Sequence, residues 1–275
     1  MDKLQDFKEL MFLKNFSDKT SKSYVSMVLN VATLLKKEPT DITELDLRKY
    51  LLSKKHYSSS TRLAVINAFK CYYKICLDKE FDSKILPRPK IEQKQPDILS
   101  TEEFQEMVNS VSNVKHKTII CLMYSCALRV SEVTNLKIKD IDSNNNKISI
   151  KNGKGKIDRI VMLDKSILNL LRDYWKIYKT NIYVFEGLKG GKYSEKSIQT
   201  LVKTLANKIG LTKKISSHSL RHSCLTQMVK DGVDLRKVQK IAGHKNINTT
   251  AGYIKLIDSD ILDTVSPISN INLNS

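Results

Sequence analysis

Apolar residues recur three and four positions apart through most of this chain, the period of helices that bury one stripe each. In the first part the pattern predicts a helix in DKLQDFKELMFLKNF (2–16) and another in KTSKSYVSMVLNVATLLKK (19–37). A third is opened by Asp41-Ile-Thr-Glu44, read as a capping box. A fourth runs from Ser59 to Asp78, where Leu63, Ile66, Phe69, Tyr73 and Ile75 return at about helical spacing. Residues 1–78 therefore read as a small helical bundle. The periodicity breaks in EFDSKILPRPKIEQKQPDIL (80–99), which holds three prolines and scattered charges, a linker composition. A boundary near residue 93 divides the chain into a domain of residues 1–92 and one of residues 93–275.

Ser100-Thr-Glu-Glu103 restarts the helical pattern with another capping box. Helices are expected near 101–112 and 115–126 and from Val130 onward, which puts Arg129 at a helix start. The period then changes to two. In KISIKNGKGKIDRIVML (147–163), alternating apolar residues flank Asn-Gly and Lys-Gly, a β-hairpin signature. Helices resume over 165–179, 194–208 with Gly210 as the stop, 217–230, 234–242 and from Asn248, and the last ten residues, SPISNINLNS, are polar and expected to be loose. The fold class is mainly α with a small β-hairpin or sheet, in two domains.

Charge narrows the partners. The formal net charge is +18, from 47 Lys+Arg against 29 Asp+Glu, and a surplus spread along a chain points to a polyanion, nucleic acid first. Against a membrane, no apolar run nears the ~18 residues of a span and no basic amphipathic helix dominates. The opening MDKLQDFKEL carries four charges in its first eight residues and lacks the apolar core of a signal peptide. A soluble, cytoplasmic, DNA-associated protein is expected. The five cysteines, at 71, 76, 121, 126 and 224, form no CxxC pair and sit in apolar helical text; reduced, buried thiols are the expectation.

Only 8 of the 47 basic residues are arginine, which singles out Arg129 and Arg221 as positions lysine would not fill, while the other six carry no such reading. Arg129 lies in Ala127-Leu-Arg-Val-Ser-Glu132, and His218-Ser-Leu-Arg221, Gly243-His244 and Tyr253 follow within 36 residues of one another. Two arginines can grip a phosphate, two histidines can donate or shuttle a proton, and a tyrosine can attack phosphorus. His218 and Arg221, three apart, share one helix face. His218 and His222 also form an HxxxH pair, but the zinc-protease pattern needs glutamate where this chain has Ser219, and no third ligand suggests itself. Were these only satisfied core residues, His222 would be the structural one, packed behind the helix. No metal-ligand set or nucleotide-binding glycine loop accompanies these residues, so no cofactor is expected.

In order and spacing this set resembles the catalytic domain of the tyrosine recombinases, the phage integrase family, strongly over residues 97–256 and by architecture only over 1–90. The length resembles compact Xer-type recombinases and small mobile-element integrases. The resemblance implies a two-domain DNA clamp, a helical SAM-like core-binding domain followed by the catalytic domain. It implies Tyr253 as nucleophile, Arg129, Arg221 and His244 around the phosphate, and His218 taking or returning the tyrosine proton. Lys154, in the turn Gly153-Lys-Gly155, is the choice for proton donor to the leaving oxygen, with Lys151 and Lys156 close enough to compete. Glu132 matches a supporting acidic position. The implied activity is site-specific strand exchange on double-stranded DNA through a 3′-phosphotyrosine and a Holliday junction. It runs in a tetramer of this chain or with a related recombinase, without ATP or metal, for integration, excision or dimer resolution. The apolar stretch Leu256–Val265 is a candidate helix for packing on a neighbouring subunit. A relaxing type IB-like topoisomerase and a noncatalytic site-specific DNA-binding protein are the alternatives.

Overall fold

The computed structural model describes residues 2–82, 84–90, 95–151, 158–188 and 190–254. Two compact units divide between Lys94 and Gln95, and among the described residues no helix is long and apolar enough to cross a membrane.

The first unit is helical throughout. Helices α1 (Asp2–Leu13), α2 (Asp18–Leu35), α3 (Glu44–Ser53) and α4 (Ser59–Tyr72) surround a core of Phe7, Met11, Val28, Leu47, Phe69 and Tyr72. Phe7 and Tyr72 meet edge to face at 5.2 Å, the arrangement their ring quadrupoles favour. The capping box of α3 is shifted from its expected place. Pro39–Asp41 forms a single 3-10 turn that absorbs Asp41, and Thr43 in extended geometry caps α3 with Asp46 as its reciprocal partner. The helix expected to run to Asp78 ends as α at Tyr72, widens into a π turn over Tyr73–Leu77 and stops at Asp78, in the left-handed region at φ 47°.

The second unit opens with the expected capping box: the Ser100 hydroxyl takes the Glu103 amide and the Glu103 carboxylate takes the Ser100 amide. Helices α5 (Thr101–Asn109), α6 (Val114–Ser125) and α7 (Val130–Asn135) are followed by strands β1 (Ile141–Asp142), β2 (Lys147–Ile150) and β3 (Arg159–Met162). The sheet is antiparallel in the order β1-β2-β3, with Ile148 opposite Val161 and Ile150 opposite Arg159. Strand β1, too short to show a period, was not expected. Along β3 the inward positions are Arg159 and Val161, and Ile160 and Met162 face out. Helices α8 (Lys165–Tyr178), α9 (Glu195–Lys208), α10 (Ser217–Lys230), α11 (Leu235–Ala242) and α12 (Ile247–Ala251) complete it.

The main core of this unit gathers α6, the sheet, α8 and α9 around Ile119, Leu122, Ile148, Leu171, Phe185 and Val202. A smaller cluster of Ala127, Cys224, Leu225, Val238, Ala242 and Tyr253 joins α10 to α11. That smaller cluster supports the site.

Candidate active site

Four short segments converge on the C-terminal end of α11. Arg129 caps α7, Arg159 starts β3, Arg221 and His222 lie in the second turn of α10, and His244 and Tyr253 follow α11. The last turn of a helix presents carbonyls without intrahelical partners and the negative end of its dipole. Arginines take them here: Arg159 Nε donates to the Ile241 carbonyl at 2.6 Å, and Arg221 Nη2 donates to the Ala242 carbonyl. Arg221 Nη1 donates to the carbonyl of Ala127, a buried residue held at φ 49°. A non-glycine residue in that region costs about 1–2 kcal/mol, and Ala127 occupies it where its carbonyl meets Arg221.

Glu132 is the organising anion. Its carboxylate accepts from Arg159 Nη1 and Nη2 at 2.7 and 2.8 Å, from Arg129 Nη1 at 2.8 Å and from the Arg129 amide at 2.8 Å. Burial by itself would raise this carboxyl; the hydrogen bonds and charge of Arg159, then those of Arg129, bring it down to about 2. The two arginines differ in access. The Arg159 side chain is 4% exposed and the Arg129 side chain 25%, so Arg159 is enclosed around the carboxylate while Arg129, held by the same carboxylate, keeps part of its side chain accessible. Gly243 completes the brace. It ends α11 at φ 62°, and a Cβ there would stand 3.0 Å from Arg159 Cδ.

His244 lies between Arg221 and Thr250, with Nε2 3.2 Å from Arg221 Nη2 and Nδ1 3.0 Å from the Thr250 hydroxyl. Burial, reinforced by Arg221 and Arg129, pulls its pKa down to about 4, so the ring is neutral at pH 7. Since a guanidinium only donates, Nε2 accepts and Nδ1 carries the proton. Tyr253 is 4% exposed. Its ring runs parallel to His244 with centroids 6.3 Å apart, and its hydroxyl is 2.9 Å from His222 Nδ1. Burial raises the phenol's pKa, opposed by Arg221 and Arg129. Burial likewise pushes Arg221 down to about 10, helped by Arg129, a charge concentration that an incoming phosphate would relieve.

Of the residues expected from sequence, Arg129, Glu132, Arg221, His244 and Tyr253 come together. His218 is on the same helix but exposed, its ring centroid 6.4 Å from that of His222. Lys154 and Lys156 lie outside the described residues, as does Leu256–Val265. Lys151 pairs with Asp140 at 3.7 Å. Beside His244 a cleft of about 860 Å³ is lined by Lys151, Arg159, Lys240, Gly243 and Lys245. His222, which the sequence reading gave no catalytic role, has its Nδ1 facing the Tyr253 hydroxyl. Arg159 was passed over as one more hairpin cation. Among the described residues no group of three His, Cys, Asp or Glu gathers as a metal site would require.

The same arrangement of elements is found in known proteins. Residues 97–259 match the phage integrase family and residues 4–83 its N-terminal SAM-like domain. The chain is 33% identical over 271 residues to the tyrosine recombinase XerA of Pyrococcus horikoshii, covering 96% of this chain and 92% of that one. It is 32% identical over 268 residues to a putative integrase/recombinase of Sinorhizobium fredii, covering 96% and 87%. A crystal structure of XerA recombinase superposes with a TM-score of 0.58 at 28% identity, covering 97% of this chain and all of that one. A site-specific recombinase XerH bound to difH superposes at 0.72 and 21% identity, over 95% and 85%, a likeness of fold. This chain belongs to the phage integrase family, the tyrosine recombinases.

Proposed function

We propose that the protein is a site-specific DNA recombinase that cuts and rejoins strands through a covalent bond between Tyr253 and the 3′ phosphate. One observation carries the reading: Arg221 and His244 lie 3.2 Å apart, the His244 ring runs parallel to that of Tyr253 at 6.3 Å, and Arg221 and Arg129 are near enough to oppose the rise in the phenol's pKa. Attack on a phosphodiester builds negative charge on the nonbridging oxygens, and catalysis follows from donors already held where that charge develops. Arg221 is fixed by two backbone carbonyls and Arg129 by Glu132, so neither need reorganise as the charge appears. His244 turns from accepting Arg221 to donating once an anion raises its pKa.

The phosphotyrosine keeps the energy of the cleaved bond, so a strand-end hydroxyl can reseal it without ATP or metal. Lys154 is proposed to protonate the departing 5′ oxygen. His218, exposed on the first turn of α10, is proposed to take the tyrosine proton and return it. The net charge of +18 and the cationic cleft beside His244 favour double-stranded DNA as partner, and the XerH structure of like fold is bound to its difH substrate. Strand exchange between two duplexes through a Holliday junction requires four such sites, supplied by a tetramer of this chain or with a related recombinase. Integration, excision and dimer resolution are all served by this chemistry.

Covalent trapping tests the reading. Wild type and Tyr253→Phe are incubated in EDTA with nicked suicide duplexes from the DNA flanking the gene. A protein–DNA adduct with wild type only is expected. DNA binding with no adduct on any substrate would favour a noncatalytic binding protein. Adducts scattered without site preference on supercoiled DNA would favour a topoisomerase.

A further inference from the structure

Arg159 uses all three nitrogens of its guanidinium. Nε donates to the Ile241 carbonyl at 2.6 Å, Nη1 to Glu132 Oε1 at 2.7 Å and Nη2 to Glu132 Oε2 at 2.8 Å. With Glu132 it forms a fork across both carboxylate oxygens, the geometry in which arginine binds an oxyanion most strongly. Arg129 takes what remains: its amide shares Oε2 and its Nη1 shares Oε1, each at 2.8 Å. Among the described residues, that single end-on bond is what holds the Arg129 guanidinium. The Arg159 side chain, 4% exposed, is too enclosed to meet DNA itself.

We infer that Arg159 is a positioning residue of the reaction: by covering both oxygens of Glu132 it keeps that carboxylate from clasping Arg129 in a fork, and so leaves the Arg129 fork for the phosphate. This deepens the recombinase reading above and rests on it. Without Arg159, Glu132 would be a buried carboxylate with Arg129 as its remaining cation. A buried charge that loses one partner draws in another, and Arg129, already bonded to both oxygens through its amide and Nη1, is the one at hand. The phosphate would then meet an arginine whose two-pronged face is taken.

The same side chain reaches the other half of the site. Its bond to the Ile241 carbonyl and the 3.0 Å separation of its Cδ from the position of a Cβ on Gly243 tie β3 to the turn that leads to His244. Its charge is felt at Arg221 and His244, whose pKa values it helps to lower, so the site stays cationic with Glu132 inside it. Lysine does not replace it. An ammonium is a point charge without the planar fork, and it would give up either one oxygen of Glu132 or the Ile241 carbonyl.

The test is single-turnover cleavage of a saturating nicked suicide duplex by wild type, Arg159→Gln, Arg159→Lys, Glu132→Gln and the double variant Glu132→Gln/Arg159→Gln, with DNA affinity and circular dichroism measured alongside. Arg159→Gln should bind DNA as wild type does and cleave about 10²-fold more slowly. The double variant separates positioning from plain support of the fold. With an amide in place of the carboxylate nothing clasps Arg129, so its rate should exceed that of Arg159→Gln by about tenfold while staying below wild type. A double variant slower than either single one overturns the assignment, as does an Arg159→Gln enzyme within about threefold of wild type. If Arg159→Gln does not fold, Arg159→Lys decides: unchanged DNA affinity with cleavage slowed by about tenfold or more supports positioning, and a wild-type rate overturns it. A wild-type adduct with unchanged variant rates sinks this inference alone, whereas absence of any wild-type adduct sinks the recombinase reading and this inference with it.

Discussion

Glu132 is a buried carboxylate shared by two guanidinium groups, and its removal leaves Arg159 a buried cation without its counter-charge. Breaking such a pair from one side costs about 3–5 kcal/mol. Glu132→Gln should lose stability of that order in urea unfolding and weaken cleavage, because Arg129 loses the group that aims it. The same residue sets an acid limit. Its folded pKa of about 2 lies below the ordinary 4.5, so the stability it contributes is fully present above about pH 4.5 and is lost as pH falls toward 2. His244 acts earlier with the same sign. Its folded pKa of about 4 lies below 6.5, so between those values the unfolded chain takes up a proton that the folded one refuses. Melting temperature should fall progressively from about pH 6.5 downward; a profile flat to about pH 4 would contradict the buried, neutral His244 described here.

Elements bring these residues together by local rules, some legible in the sequence and some not. The Ser100 capping box, the helix that carries His218 and Arg221 and the glycine after α11 are local signals, and these elements stand where expected. Arg159 was not seen because a cation in a lysine-rich hairpin looks like a solvent or DNA contact. The period-2 alternation that revealed β3 also placed Arg159 on the face of Val161, the buried one, and that signal was available. His222 could not be found this way, since its partner lies 31 residues on, beyond any helical period. The Thr43 cap was misplaced because Pro39 starts its own turn. Gly243 carries a prediction at this scale. Its left-handed φ and the 3.0 Å approach to Arg159 mean that Gly243→Ala should cost about 1–2 kcal/mol in chemical denaturation, with cleavage impaired as Arg159 shifts.

At the scale of the molecule, a proline-rich stretch separates two units with separate cores. The helical character of the first and the mixed character of the second were readable from period alone. The positions of residues brought together across the second unit were not, because tertiary contacts leave no periodic trace. A net charge of +18 predicts DNA binding driven largely by counterion release. With six or more phosphate contacts, affinity should fall about 10³-fold or more between roughly 50 and 200 mM salt, measured by fluorescence anisotropy on a duplex. A salt-insensitive affinity would argue against the phosphate backbone as the main partner.

The central claim is that Tyr253 becomes covalently attached to DNA, and the direct measurement is to locate the bond. A trapped adduct formed in EDTA is digested with nuclease and protease, and the nucleotide-bearing peptide is sequenced by mass spectrometry. The account predicts a single modified residue, Tyr253, linked to a 3′ phosphate, with a free 5′ hydroxyl on the released strand. Attachment at another tyrosine, linkage through a 5′ phosphate, or an adduct that persists in Tyr253→Phe would contradict it.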